Sequence, residues 1–161
     1  HYIQYAGPKR SASLAIPHLQ RAGRLPAELS PEQQAWAEAL VALYQEQMTA
    51  ASDIVELSEL FFRSELSVDD EAAAVLAEPQ VPNVLSTFLA KVEGLADFSV
   101  ENIGAAIKEV QKETGSKGKG LFMPIRVALT GQMHGRDLNQ TIYLLGRDKV
   151  IERLKARIAA L

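Results

Sequence analysis

Apolar residues recur at helical spacing along almost the whole chain, and this periodicity limits the possible folds more than any other feature. In "SPEQQAWAEALVALYQEQM", residues 30–48, Trp36, Leu40, Leu43, Tyr44 and Met48 recur at helical spacing. Ser30 reads as the N-cap and Pro31 as the first helical residue, with Gln33 where a capping box needs it. Asp53 and Glu56 open a further helix carrying Ile54, Leu57, Leu60 and Phe61. Asp69 and Asp70 open the acidic helix "DDEAAAVLAE", which stops before Pro79; there the two carboxylates favour the positive end of the helix dipole. "VPNVLSTFLAKVEG" places Val84, Leu85, Phe88, Leu89 and Val92 on one face, with Gly94 as C-cap. In "FSVENIGAAIKEVQKETG" Ser99 caps, Val100, Ile103, Ile107 and Val110 form the stripe, and Gly115 stops the helix. The tail "GRDKVIERLKARIAAL" is amphipathic through Val150, Ile151, Leu154, Ile158 and Leu161, with Lys149, Arg153, Lys155 and Arg157 on the polar face. No sustained period-2 alternation and no two-residue hairpin signal interrupts this pattern. The reading is all-α.

The 161 residues suffice for one domain or two small lobes with a real core. Cysteine is absent, which removes disulfides and thiolate metal sites and favours a reducing compartment, so a cytoplasmic location is expected. His1, His18 and His134 are too scattered for metal-ligand spacing, and no metal site is expected. No apolar run reaches the roughly 18–20 residues of a membrane span, and no signal-peptide pattern opens the chain. A first residue of His1 rather than Met reads as an excised piece of something longer, or as a processed N-terminus.

Net charge is −3, but its distribution is uneven. Residues 1–101 carry 6 Lys/Arg against 15 Asp/Glu, and residues 102–161 carry 11 against 5. A basic end points to contact with a polyanion such as nucleic acid, or to two surfaces of opposite sign that attract each other. The sign changes near Gly94–Ser99, where a lobe boundary is expected: residues 1–95 as the first lobe and 96–161 as the second, basic one.

Catalytic motifs are missing. There is no phosphate loop, no G-x-G-x-x-G, no H-E-x-x-H and no G-x-S-x-G, so no catalytic residue is assigned. The Gly/Lys-rich "GSKGKG", residues 115–120, reads as a solvated linker whose Lys117 and Lys119 can touch a nucleic-acid backbone. His134 sits in a Gly-flanked turn with no partner carboxylate, where it is either plain surface or a group that stacks on a base. In "PIRVALT" Pro124 can open a short helix that Gly131 ends. Ile125, Ala128 and Leu129 then share one face while Arg126 begins another. Arg126 lies either on the exposed flank of a buried helix or aimed at a polyanion, where a guanidinium can stack on a base or grip phosphate.

At these residues the sequence resembles the C-terminal anticodon-binding region of bacterial-type glutamyl-tRNA synthetases, which are class I aminoacyl-tRNA synthetases. "LFMPIRVALTGQMHG", residues 121–135, carries the resemblance, followed by "LLGRDKVIERL" at 144–154. The opening "HYI", "AIPHLQRAG" at 15–23 and "LYQEQMTAASDIVELSELFF" at 43–62 extend it over essentially the whole chain. The resemblance implies an all-helical, two-lobed cage that binds the anticodon loop of tRNA(Glu), a ligase whose ATP- and Mg-dependent catalytic domain lies upstream, and no cofactor in this piece. It implies that Arg126, His134, Gly135, Arg136 and Leu138 contact the first two anticodon bases, although Arg136 stands where the family often has proline. The third-base reader falls at Thr49, beside Gln47. With no arginine at 47–49, a relaxed enzyme accepting tRNA(Gln) as well as tRNA(Glu) is expected. Neither DNA nor membrane is an expected partner, and a monomer is expected. The competing reading is a helical protein-interaction domain without RNA binding.

Overall fold

The structure, a computed structural model, describes residues 8–161; "HYI" and His1 lie outside the described residues. Among those described, all regular structure is helical, as the periodicity predicts, and the chain divides into two compact units, His1–Ser64 and Glu65–Leu161.

The first unit contains α1 (Pro8–Arg21), α2 (Pro31–Tyr44) and α3 (Asp53–Leu57), with 3-10 turns at Gln45–Gln47 and Glu59–Phe61. The capping box forms: the Ser30 hydroxyl accepts the Gln33 amide at 3.1 Å, and Gln33 Oε1 accepts the Ser30 amide at 2.9 Å. The fully buried side of α2 is Ala37, Leu40, Val41 and Tyr44, so the expected stripe is rotated and Trp36 and Leu43 are half-buried. Trp36 packs edge-on against Phe61 and Phe62, at 6.3 and 5.8 Å between ring centres. Ala12, Ile16 and Leu19 of α1 close the core against α2, together with Met48 and Ile54. The helix opened by Asp53 is shorter than its apolar spacing suggests. Buried Ser58 bonds back to the Ile54 carbonyl through both its amide and its hydroxyl, and the chain tightens into a 3-10 turn.

The second unit holds α4 (Asp70–Leu76), α5 (Val81–Gly94), α6 (Val100–Thr114), α7 (Lys119–Thr130), α8 (Leu138–Leu145) and α9 (Arg147–Ala160). Asp69 caps α4 by accepting the Ala72 amide at 2.8 Å, and Ser99 caps α6 by accepting the Asn102 amide at 3.1 Å. Gly115 follows the last residue of α6, as expected. At the centre is α5, which packs on α6, α7 and α9. Its Val81, Val84, Leu85, Phe88 and Val92 are each 0% exposed, whereas Leu89 is half-buried. Burial of one such side chain stabilises by about 1.5–3 kcal/mol.

The division lies at Ser64/Glu65, whereas the charge pattern suggests residues 95/96. That later point falls between α5 and α6, which pack against each other inside the second unit. A helix cannot leave the elements that cover its apolar stripe, and α5 is covered by α6, α7 and α9. The acidic residues 65–101 and the basic residues 102–161 thus share one unit, linked by the ion pairs Lys91–Glu113 and Lys155–Glu93.

Candidate nucleic-acid interface

The stretch around Arg126 is organised by α7. This helix begins at Lys119, five residues before the proline that the sequence suggests as its start, and Pro124 lies in its interior. An interior proline leaves the carbonyl four residues earlier without its amide donor. Here that carbonyl belongs to Gly120, and the Gln80 side chain at the start of α5 donates to it at 3.1 Å. The "GSKGKG" linker is correspondingly shorter, because Lys119 and Gly120 are already helical.

The far end of α7 is fixed by three groups. Gly131 takes φ +75°, and its amide bonds the Val127 carbonyl at 2.8 Å. A Cβ there would lie 2.7 Å from the Ser67 carbonyl oxygen, so both conformation and space require glycine. Thr130 donates its hydroxyl to the Arg126 carbonyl at 2.7 Å and accepts the Gln132 amide at 3.1 Å. Arg153 of α9 donates Nη1 to the Leu129 carbonyl at 2.7 Å, placing a cation on the negative end of the helix dipole.

Arg153 is only 8% exposed, so it is not on the solvated face of α9 where the sequence pattern puts it. Burial lowers its pKa, and burial followed by repulsion from Arg153 lowers that of Lys149. Arg147 acts similarly at α5, donating to the Val92 carbonyl at 2.7 Å and lying over the Phe98 ring. Sequence reading misses both arginines because their acceptors are distant in the chain and leave no local pattern.

Ile125, Ala128 and Leu129 are buried as expected, and Arg126 is half-buried at the edge of the helix. Its Nη1 donates to the Arg136 carbonyl at 3.0 Å. A Cβ on Gly135 would meet the same nitrogen at 2.7 Å, so the bare glycine lets the guanidinium reach the loop backbone. Beyond the loop, Asp137 caps α8 by accepting the Gln140 amide at 2.9 Å. The segment 131–137 is therefore pinned at Gly131, at Arg136 and at Asp137.

The structure brings Arg126, Gly135 and Arg136 together, with His134 exposed on the same loop. Leu138, 8% exposed, starts α8. Lys117 and Lys119 are exposed at the opposite end of α7 from this loop, roughly 10 Å along the axis from Arg126 at 1.5 Å per residue. Gln47 and Thr49 belong to the first unit and are exposed. The amide and hydroxyl of Thr49 and the amide of Ala50 all donate to Asp53 Oδ2 at 3.0 Å. These bonds, that from Ala50 foremost, lower the Asp53 pKa. Among the described residues no three His, Asp or Glu side chains cluster as metal ligands would, and no helix is long and apolar enough to cross a membrane.

The family described as "Anticodon binding domain" matches residues 10–158. The chain is 59% identical over 154 residues to a glutamate–tRNA ligase of Geobacillus thermodenitrificans, a match covering 96% of this chain and 32% of that protein. It is 53% identical over 154 residues to the glutamate–tRNA ligase of Bacillus subtilis, with the same coverage of 96% and 32%. The chain thus spans about a third of the length of these relatives. The fold is that of part of a glutamate tRNA ligase from Elizabethkingia meningosepticum, solved in complex with its amino acid. That likeness has a TM-score of 0.84 at 24% identity and covers 99% of this chain and 30% of the other.

Proposed function

The chain belongs to the anticodon binding domain family, and from that membership we propose that it reads the anticodon loop of tRNA(Glu) on behalf of a glutamate–tRNA ligase. In this reading Arg126, His134, Gly135, Arg136 and Leu138 meet the first two anticodon bases. Gln47 and Thr49 meet the third, and Lys117 and Lys119 hold the RNA backbone. Thr49 in place of an arginine leaves the third base loosely specified, so the ligase charges tRNA(Gln) as well. ATP and magnesium serve the ligase's catalytic part and not these residues. The whole enzyme works as a cytoplasmic monomer.

The observation that carries this reading is the fixed position of Arg126. It projects from a helix whose two ends are both braced, and it is bonded to the backbone of a loop that exposes His134. A planar cation held this way can stack on or hydrogen-bond an unpaired base at little cost in side-chain entropy. The test is binding of a synthetic tRNA(Glu) anticodon stem-loop at low and moderate salt. Arg126→Ala should weaken binding by about 1–3 kcal/mol, the value of one good base contact. A folded variant with wild-type affinity, or a wild-type chain that ignores the loop at low salt, would overturn the assignment.

A further inference from the structure

Phe122 is 43% exposed on α7, although most of the apolar residues of this helix are buried. A single exposed apolar side chain is ordinary on a protein surface. Phe122 stands out for its neighbours: Lys119 lies three positions before it and Arg126 four after. At about 100° per residue the three side chains leave the helix within roughly 60° of one another. They form one face, cation, aromatic, cation, on the helix already braced at Gly120 and Leu129. From Thr114 to Arg136 the chain carries Lys117, Lys119, Arg126 and Arg136 and no carboxylate at all. A face of this charge suits a polyanion and repels other cations.

We propose that Phe122 is a stacking platform for an unpaired base of the bound RNA loop, with Lys119 on the adjoining phosphate and Arg126 on the neighbouring base. The assignment rests on the anticodon-loop reading above and adds a contact residue to it. Exposed aromatic rings flanked by cations hold single-stranded nucleic acid because every base offers a π-face, while the cations follow the backbone. Such a contact adds affinity for unpaired bases without selecting among them. Duplex RNA, whose bases are already stacked, gains nothing from it.

The experiment measures affinity of the 161-residue chain for the tRNA(Glu) anticodon stem-loop and for a fully paired RNA of equal length. It compares the wild type with Phe122→Leu, Phe122→Trp and Arg126→Ala. Phe122→Leu keeps apolar bulk but has no ring, and it should lose about 5- to 150-fold on the stem-loop with no change on the duplex. Phe122→Trp should bind the stem-loop at least as tightly as the wild type. If Phe122→Leu matches the wild type while Arg126→Ala weakens binding, the platform is overturned and the anticodon-loop reading stands. Equal losses on stem-loop and duplex would overturn stacking. A wild-type chain that binds neither RNA, as a protein-interaction module would, overturns both.

Discussion

Gly131 and Gly115 provide a matched pair for testing how α7 is held. Both end a helix with the same backbone, φ +75° with ψ 4° at Gly131 and φ +77° with ψ −4° at Gly115. Both donate an amide to the carbonyl four residues earlier, at 2.8 and 2.9 Å. They differ in what a side chain would meet. A Cβ at Gly115 has nothing within 4 Å, whereas at Gly131 it would lie 2.7 Å from the Ser67 carbonyl oxygen and 3.4 Å from Leu66 Cβ. Gly115→Ala therefore incurs only the left-handed backbone strain, about 1–2 kcal/mol. Gly131→Ala incurs the same strain plus displacement of a backbone carbonyl from a packed position, about 1–3 kcal/mol more. Urea unfolding followed by far-UV circular dichroism gives both values from midpoint and slope. Gly131→Ala should also weaken stem-loop binding, because the clash moves the start of the 131–137 loop. If the two alanine variants agree within about 0.5 kcal/mol, which is the scatter expected of independent sites, then the Ser67 carbonyl does not bar a side chain at Gly131.

Arg153→Met should destabilise the second unit by about 1–3 kcal/mol, because the Leu129 carbonyl loses a buried donor; unchanged urea stability would show that the guanidinium does not cap α7. Asp53 has a pKa lowered from 3.8 by the Ala50 and Thr49 amides and the Thr49 hydroxyl. A folded pKa below the unfolded one adds stability above the unfolded value and loses it as pH falls through the folded one. Acid unfolding read by Trp36 fluorescence should therefore show a stability loss below about pH 4 that Asp53→Asn reduces, and an identical acid limb in the variant would refute the role of the turn. In a ligase carrying this chain, Thr49→Arg should shift charging toward tRNA(Glu) over tRNA(Gln), and equal charging of both would remove Thr49 as the third-base reader.

The helices were legible where their causes are local. Ser30 with Gln33, Asp69 and Ser99 act within one turn of themselves, and the spacing that marks Ile103, Ile107 and Val110 follows from helical geometry alone. The pattern was least legible where a proline interrupts it. Pro17 inside α1 hides that helix, and Pro124 reads as a beginning although it lies in the interior of α7. The group that compensates for Pro124 is Gln80, which lies forty positions from the Gly120 carbonyl it bonds and meets it only once α5 and α7 pack together.

For the candidate site, the sequence by itself determined an apolar face on α7, an arginine off that face, and a run of cations without carboxylates. Helical spacing and charge are properties of neighbouring residues and survive in any helical fold. Tertiary structure alone decided the rest: that Arg126 is tied to the Arg136 carbonyl, that Arg153 is a buried cap and not a surface cation, and that α5 belongs with α6 to α9. Each of these depends on a donor meeting an acceptor, or a stripe meeting its cover, across many residues of chain. Backbone carbonyls carry no residue identity, so a sequence does not reveal which of them a distant arginine will reach.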